Sequence, residues 1–133
     1  MEIKTRIVAI IVKRGKLLML KGQGYKELWT PGGKIDPDES DEDCLRRELK
    51  EETGAELLNM KFFKKYSAKS FYSNHITKQR VYIASLKGYK ITPQAEIEDF
   101  VWLSKNDFEK GEYPMIPITQ NKIIPDLIKS GIF

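Results

Sequence analysis

One cysteine and one histidine in 133 residues exclude several kinds of site at once. A single thiol, Cys44, excludes an internal disulfide. A lone histidine, His75, excludes a histidine-rich zinc cluster and reads as a loop residue. Long apolar runs are missing as well. The longest near the N-terminus, Ile7 to Val12, is too short for a signal-peptide core or a membrane span, so a cytoplasmic location is expected. No repeat, linker-like tract, low-complexity stretch or dense Lys/Arg run occurs, so neither a membrane nor a nucleic acid is the expected partner. The remaining composition, 41% hydrophobic and 32% charged, is that of a globular chain whose length suits one domain over residues 1–133.

The charge is unevenly placed. Residues 36–56 carry ten acidic and three basic side chains, while the rest of the chain carries twenty basic and nine acidic. An acidic pocket set in a basic body suits a cation-bound polyphosphate. A solvated surface explains most of the scattered lysines. Cys44 sits inside the acidic segment and reads as a small buried filler.

That segment holds the most specific pattern in the chain. Gly33 is followed after five residues by Glu39, and after seven more by Arg47-Glu48-Leu49. One residue later comes Glu51-Glu52, and one later again Gly54. Ser40 is a good N-cap with Asp43 three residues on. Asp41, Glu42 and Asp43 favour the positive end of a helix dipole, and Gly54 is a C-terminal stop. The spacing predicts a helix over residues 41–53. On a helical wheel Glu52 falls about 40° to one side of Glu48 and Glu51 about 60° to the other. The three carboxylates therefore share one arc beside the apolar stripe of Leu45 and Leu49. Glu48 and Glu52 repel across one turn, which works against the helix. A hard divalent cation removes that repulsion, and oxygen ligands at this spacing suit Mg2+, with Mn2+ as a substitute.

The pattern resembles the Nudix box, the signature of hydrolases that cut nucleoside diphosphates linked to another group. Every charged and glycine position is filled. Ala55, where the family has a bulkier aliphatic residue, is the one departure and lies at a packing position. The resemblance implies that the Gly32 carbonyl and the carboxylates of Glu48, Glu51 and Glu52 hold the metal. It gives Arg47 the task of fixing the catalytic glutamates and Glu39 a supporting place. The segment before Trp102 resembles the loop that sets one more glutamate over the metals, Glu96 rather than Glu98.

Residues 6–12 read as a buried strand, with 17–21 as its hairpin partner across Arg14-Gly15-Lys16. Residues 28–30 form a short extended piece. Residues 57–66, 79–87 and 99–103 are further strands. Residues 104–110 read as a short helix, and 119–130 as a last helix kinked or restarted by Pro125. Strands flanking a central helix indicate an α/β sandwich, and the resemblance makes it an α/β/α sandwich with a mixed central sheet.

Beyond the box, Lys21 stands where related enzymes carry a basic residue facing phosphate, and Lys34 follows the double glycine. Gln120 and Asn121 stand where relatives of the MutT type read a purine. Trp29 and Trp102 are expected in the core. Ser70 takes the place of a proline found in ADP-ribose enzymes, whereas Tyr72 matches a tyrosine of dinucleoside polyphosphate enzymes. The expected activity is metal-assisted hydrolysis of a nucleotide-type small molecule, with a MutT-like nucleoside triphosphate pyrophosphohydrolase favoured. The alternatives are a dinucleoside polyphosphate hydrolase, an RNA 5′-pyrophosphohydrolase and a non-catalytic nucleotide-binding module. Many relatives are homodimers, which leaves that state open.

Overall fold

The computed structural model describes residues 2–133. They form two sheets. In the first, β1 (Ile3–Ile10) runs parallel to β6 (Ile76–Leu86) and antiparallel to β4 (Gly32–Lys34), and β5 (Leu57–Lys69) closes the order β4-β1-β6-β5. The second is antiparallel, with β2 (Val12–Lys13), β3 (Lys16–Gly22) and β7 (Ile97–Ser104) in the order β2-β3-β7. α1 (Asp41–Thr53) joins β4 to β5, and α2 (Lys105–Glu109) follows β7. A π-helical turn (Thr119–Ile123) leads into α3 (Ile124–Lys129).

The expected hairpin is only partly formed. The apolar strand of residues 6–12 changes sheets at Ile11. β1 belongs to the mixed sheet, and only β2 pairs with β3, helped by the Leu18 N–H donating to the Ile11 carbonyl. A run buried on both faces carries no alternation to show which neighbour it pairs with. The β5 and β6 strands also extend further towards each other than expected, leaving residues 70–75 as the loop between them.

Alternation along these strands divides the core in two. Ile7, Ala9, Ile11, Leu18 and Leu20 face Cys44, Leu45 and Leu49 of α1. Val8, Ile10, Leu17 and Met19 face Ile123, Ile124 and Leu127 at the C-terminal helix. The strands thus lie between two helical layers, the expected α/β/α arrangement. Burying each of these leucines and isoleucines contributes about 1.5–3 kcal/mol, enough to hold α1 rigidly against the sheet.

α1 starts and stops where its caps dictate. Ser40 Oγ accepts from the Asp43 N–H, and Gly54 adopts φ 71° with its N–H donating to the Lys50 carbonyl. Asp41 in the first turn ties the helix to β6, accepting from Arg80 Nε at 2.8 Å and Arg80 Nη2 at 2.7 Å, and from the Tyr82 hydroxyl. These bonds, the Arg80 pair first, hold its carboxyl below the usual range. Stabilisation from a lowered carboxyl is complete above the unfolded-state pKa and disappears as pH falls through the folded one. Asp41→Asn should therefore cost about 1 kcal/mol at neutral pH, after discounting for the partly exposed Arg80. Thermal melts should show a Tm loss of about 4 °C at pH 7 that closes towards pH 3. Equal stability at pH 7 would contradict this role.

The C-terminal helix covers the expected residues but is not uniform. Pro125 has no N–H to donate to the carbonyl four residues earlier, and its ring crowds that turn. A widened π turn immediately before it absorbs the mismatch. Thr119 and Ile123 are buried there, while Gln120 and Asn121 are exposed.

Candidate functional site

A cavity of about 650 Å³ opens where β4, the C-terminal half of α1, the β5–β6 loop and the segment before the π turn meet. Its size is typical of a small-molecule site. Glu48, Glu52, Gly32 and Gly33 line one end. Glycine is required at both β4 positions. A Cβ on Gly32, at φ 134°, would stand 2.0 Å from the Ile7 carbonyl oxygen. A Cβ on Gly33 would stand 2.4 Å from the Glu48 carboxyl carbon. The double glycine therefore lets the α1 carboxylates lie directly against the β4 backbone.

Arg47 organises the acidic face. It donates from Nε to Glu39 Oε2 at 2.7 Å, from Nη2 to Glu39 Oε1 at 2.9 Å and from Nη1 to Glu48 Oε1 at 2.8 Å. It lies farther from Glu51, at 3.6 Å. The Arg47 hydrogen bonds, with help from the Asp36 N–H, pull the Glu39 carboxyl down to about 2. Glu52 is only 3% exposed and accepts from the Gly32 N–H at 3.0 Å. Burial pushes its carboxyl up to about 8, against the opposing pull of Arg6 and that N–H. Burial also raises Glu48, outweighing Arg47. Cys44 is buried as expected, and burial followed by repulsion from Glu39 pushes its thiol up to about 12.

The structure brings most of the expected residues together and separates a few. Glu48, Glu52, Gly32, Lys34, Tyr72 and Glu96 all line the cavity. Arg47 stands behind Glu48, and Glu51 is on the same helix face but half exposed, outside the lining. Lys21 is not in the lining. It is paired with Glu98 across the β3–β7 ladder, so a phosphate would have to compete with that carboxylate. Gln120 and Asn121 face solvent, because the π turn directs Thr119 inward instead. His75 is a loop residue, bridged to Ser73 and Thr77. Trp29 packs on the core as expected but also lines the cavity, edge-on to Tyr25. Trp102 packs on the core.

Other cavity residues gave no motif. Tyr25, Phe71 and Tyr72 form an exposed aromatic rim, with Tyr25 and Tyr72 rings 4.7 Å apart and the Tyr72 hydroxyl donating to Glu27. Arg6 and Gln79 line the cavity from β1 and β6. The signal for both was a polar residue at an inward strand position, at one end of faces that continue as Val8–Ile10 and Val81–Ile83.

Among the described residues, no three acidic, histidine or cysteine side chains already converge as a coordination sphere. Glu48 is turned to Arg47 and Glu52 to the Gly32 N–H. The donors are nonetheless all oxygen, and Glu48 and Glu52 lie beside the Gly32–Gly33 backbone with Arg47 and Arg6 as opposing charges. This donor set fits a hard divalent ion and not a soft one. Among the described residues, no helix is long and apolar enough to cross a membrane.

Comparison with known proteins agrees with this architecture. A family model described as NUDIX domain matches residues 3–127. An 8-oxo-dGTP diphosphatase of Buchnera aphidicola subsp. Schizaphis graminum (strain Sg) is 32% identical over 135 residues, covering 96% of this chain and 95% of the relative. The solution structure of the E. coli ORF135 protein superposes with a TM-score of 0.75 at 25% identity, covering 98% of this chain and 94% of that one. A NUDIX hydrolase from Nitrosomonas europaea reaches a TM-score of 0.77 at 19% identity over 92% of this chain and 87% of that one, which speaks for the fold alone. With the family pattern spread over almost the whole chain and the box folded into an acidic cavity wall, the protein belongs to the Nudix hydrolases, as a MutT-like pyrophosphohydrolase.

Proposed function

We propose that this chain, acting as one domain in the cytoplasm, hydrolyses a nucleoside triphosphate to the monophosphate and pyrophosphate, with Mg2+ or, in its place, Mn2+. The observation that carries this reading is the cavity's polarity: aromatic rings at the rim, and Glu48 and Glu52 against a glycine backbone at the other end. The aromatic and apolar walls suit a base, and the glutamates suit a cation-bound diphosphate. The Gly32 carbonyl with Glu51 and Glu52 would hold the ion; Glu48, expected among its ligands, already gives Oε1 to Arg47 and keeps Oε2 for the chemistry. When bound, the ion neutralises charge building on phosphate and acidifies water.

The remaining work falls to the chain's own groups. Arg47 fixes Glu48 through Oε1, which leaves Glu48 Oε2 free to take the proton of the attacking water. Lys34, exposed at the cavity mouth, draws in the phosphates. Glu96 stands across the cavity and supports the site electrostatically. Glu96→Gln should lower kcat by roughly tenfold, less than removal of the base itself, which contributes roughly 10²–10⁴. A larger loss at Glu96 than at Glu48 in initial rates would move the base to Glu96.

The 8-oxo-dGTP diphosphatase relative makes an oxidised guanine nucleotide the first substrate to try. Tyr72 at the rim favours a second reading, a dinucleoside polyphosphate hydrolase. Pyrophosphate or phosphate release should be followed across nucleoside triphosphates (8-oxo-dGTP among them), ADP-ribose, diadenosine tetraphosphate and a 5′-triphosphorylated RNA. Preference for a triphosphate supports the first reading, and for the dinucleotide the second. Steep salt dependence with RNA as best substrate would point to an RNA end. No turnover with either metal would leave a binding module.

A further inference from the structure

We infer that Arg6 and Gln79 read the edge of a purine carrying a 6-oxo group and thereby set base choice in this cavity; this rests on the nucleotide reading above. The two residues are register partners in the parallel β1–β6 ladder, and both line the cavity. Gln79 is only 6% exposed, yet no protein hydrogen bond reaches its amide among the described residues, and its atoms are not sealed from the cavity. A polar group held that deep with only cavity water for a partner is free to exchange that water for a ligand's donor or acceptor.

Arg6 is oriented by its surroundings. Its Nη2 donates to the Thr30 and Gly32 carbonyls, each at 3.2 Å. Those bonds fix the guanidinium plane and leave Nε and Nη1 without a protein acceptor among the described residues. The neighbouring wall is Ala68 with Ile116 to Ile118, small or apolar groups suited to a flat ring. Against that wall, Arg6 and Gln79 are adjacent polar groups, side by side in the β1–β6 ladder, that can meet the edge of a ring.

Their chemistry selects among bases. Arginine offers donors only, and guanine presents O6 and N7 as adjacent acceptors. Adenine turns its N6 amino group to the same place, so donor meets donor. The Gln79 amide works in either orientation. Its N–H suits N7 of guanine, and its carbonyl suits the N7–H of 8-oxoguanine. The pair admits both 6-oxo purines and rejects adenine.

Calorimetric titration with dGMP, 8-oxo-dGMP, dAMP and dCMP, without metal, tests this directly. The wild-type protein should bind both guanine monophosphates at least roughly tenfold more tightly than dAMP. Gln79→Leu should weaken dGMP roughly tenfold and leave dAMP nearly as it was, so the ratio narrows. Arg6→Lys, which keeps charge but loses the planar fork, should narrow it too, and serves if the first variant fails to fold. Equal affinities in the wild type, dAMP or dCMP binding as tightly as dGMP, parallel losses in a folded variant, or no binding at all would overturn the inference. Selective dGMP binding without hydrolysis of any triphosphate would sustain base reading while removing the enzymatic reading. Hydrolysis with no base preference would do the reverse.

Discussion

Glu48→Gln should lower kcat by roughly 10²–10⁴ while leaving the fold in place. Glutamine matches the shape of glutamate, so it fits against Gly33 and still accepts a hydrogen bond from Arg47 Nη1. Arg47 also keeps its two bonds to Glu39. The amide has no oxygen basic enough to accept a proton from water. Loss should therefore fall on kcat, with little change in substrate binding and a Tm within about 4 °C of wild type, the shift that 1 kcal/mol produces. A variant within tenfold of wild-type kcat would remove Glu48 from the role of base. Glu51→Gln should act differently. Its carboxylate is half exposed and outside the cavity lining, so as a ligand of the ion and not the base it should lose metal affinity first, and turnover through that loss. Direct Mn2+ titration separates the two cases.

Gly32→Ala should destabilise the fold strongly, whereas Gly33→Ala should spare it and disable the site. At Gly32 the backbone has φ 134°, where a side chain is strained, and the added carbon would meet the Ile7 carbonyl at 2.0 Å. That neighbour is backbone in the middle of the buried sheet and cannot move aside. The cost should reach about 4 kcal/mol, near the top of the range for single substitutions, and lower the Tm by about 15 °C. At Gly33 the atoms nearest the added carbon are those of the Glu48 carboxyl, the first at 2.4 Å, the end of a side chain that can swing away. The Gly33 variant should melt within a few degrees of wild type but lose most of its turnover, because Glu48 leaves its place beside Arg47. The measurement is a thermal melt paired with initial rates for both variants. Similar melting of the two would contradict the different parts assigned to adjacent glycines.

The helix carrying the carboxylates was legible to the residue, because its signals are local. Ser40 and Gly54 cap it, and both caps work in the structure as their residue types predict. Glu48 and Glu52, four apart on the helix, share a face as the box spacing implies, and both line the cavity. What depended on distant pairing was harder to read. Ile7 to Ile11 is apolar throughout, so nothing in it showed that the strand leaves one sheet for another. Arg6 and Gln79 become neighbours only through the parallel β1–β6 ladder, across more than half the chain. Gln120 was assigned by its position at the start of the last helix. The π turn imposed by Pro125 shifts that register and points Thr119 into the cavity instead. Lys21 sits at the predicted strand end, but its commitment to Glu98 follows from a pairing of β3 with β7 that no local pattern reveals.

Phosphorus NMR of the products formed from 8-oxo-dGTP and dGTP in 18O-labelled water, with Mg2+ and then with the metal chelated, tests the central claim most directly. The expected result is a nucleoside monophosphate and pyrophosphate, one of them carrying the label, and no reaction once the metal is removed. Orthophosphate with a nucleoside diphosphate, or turnover that survives chelation, would contradict it.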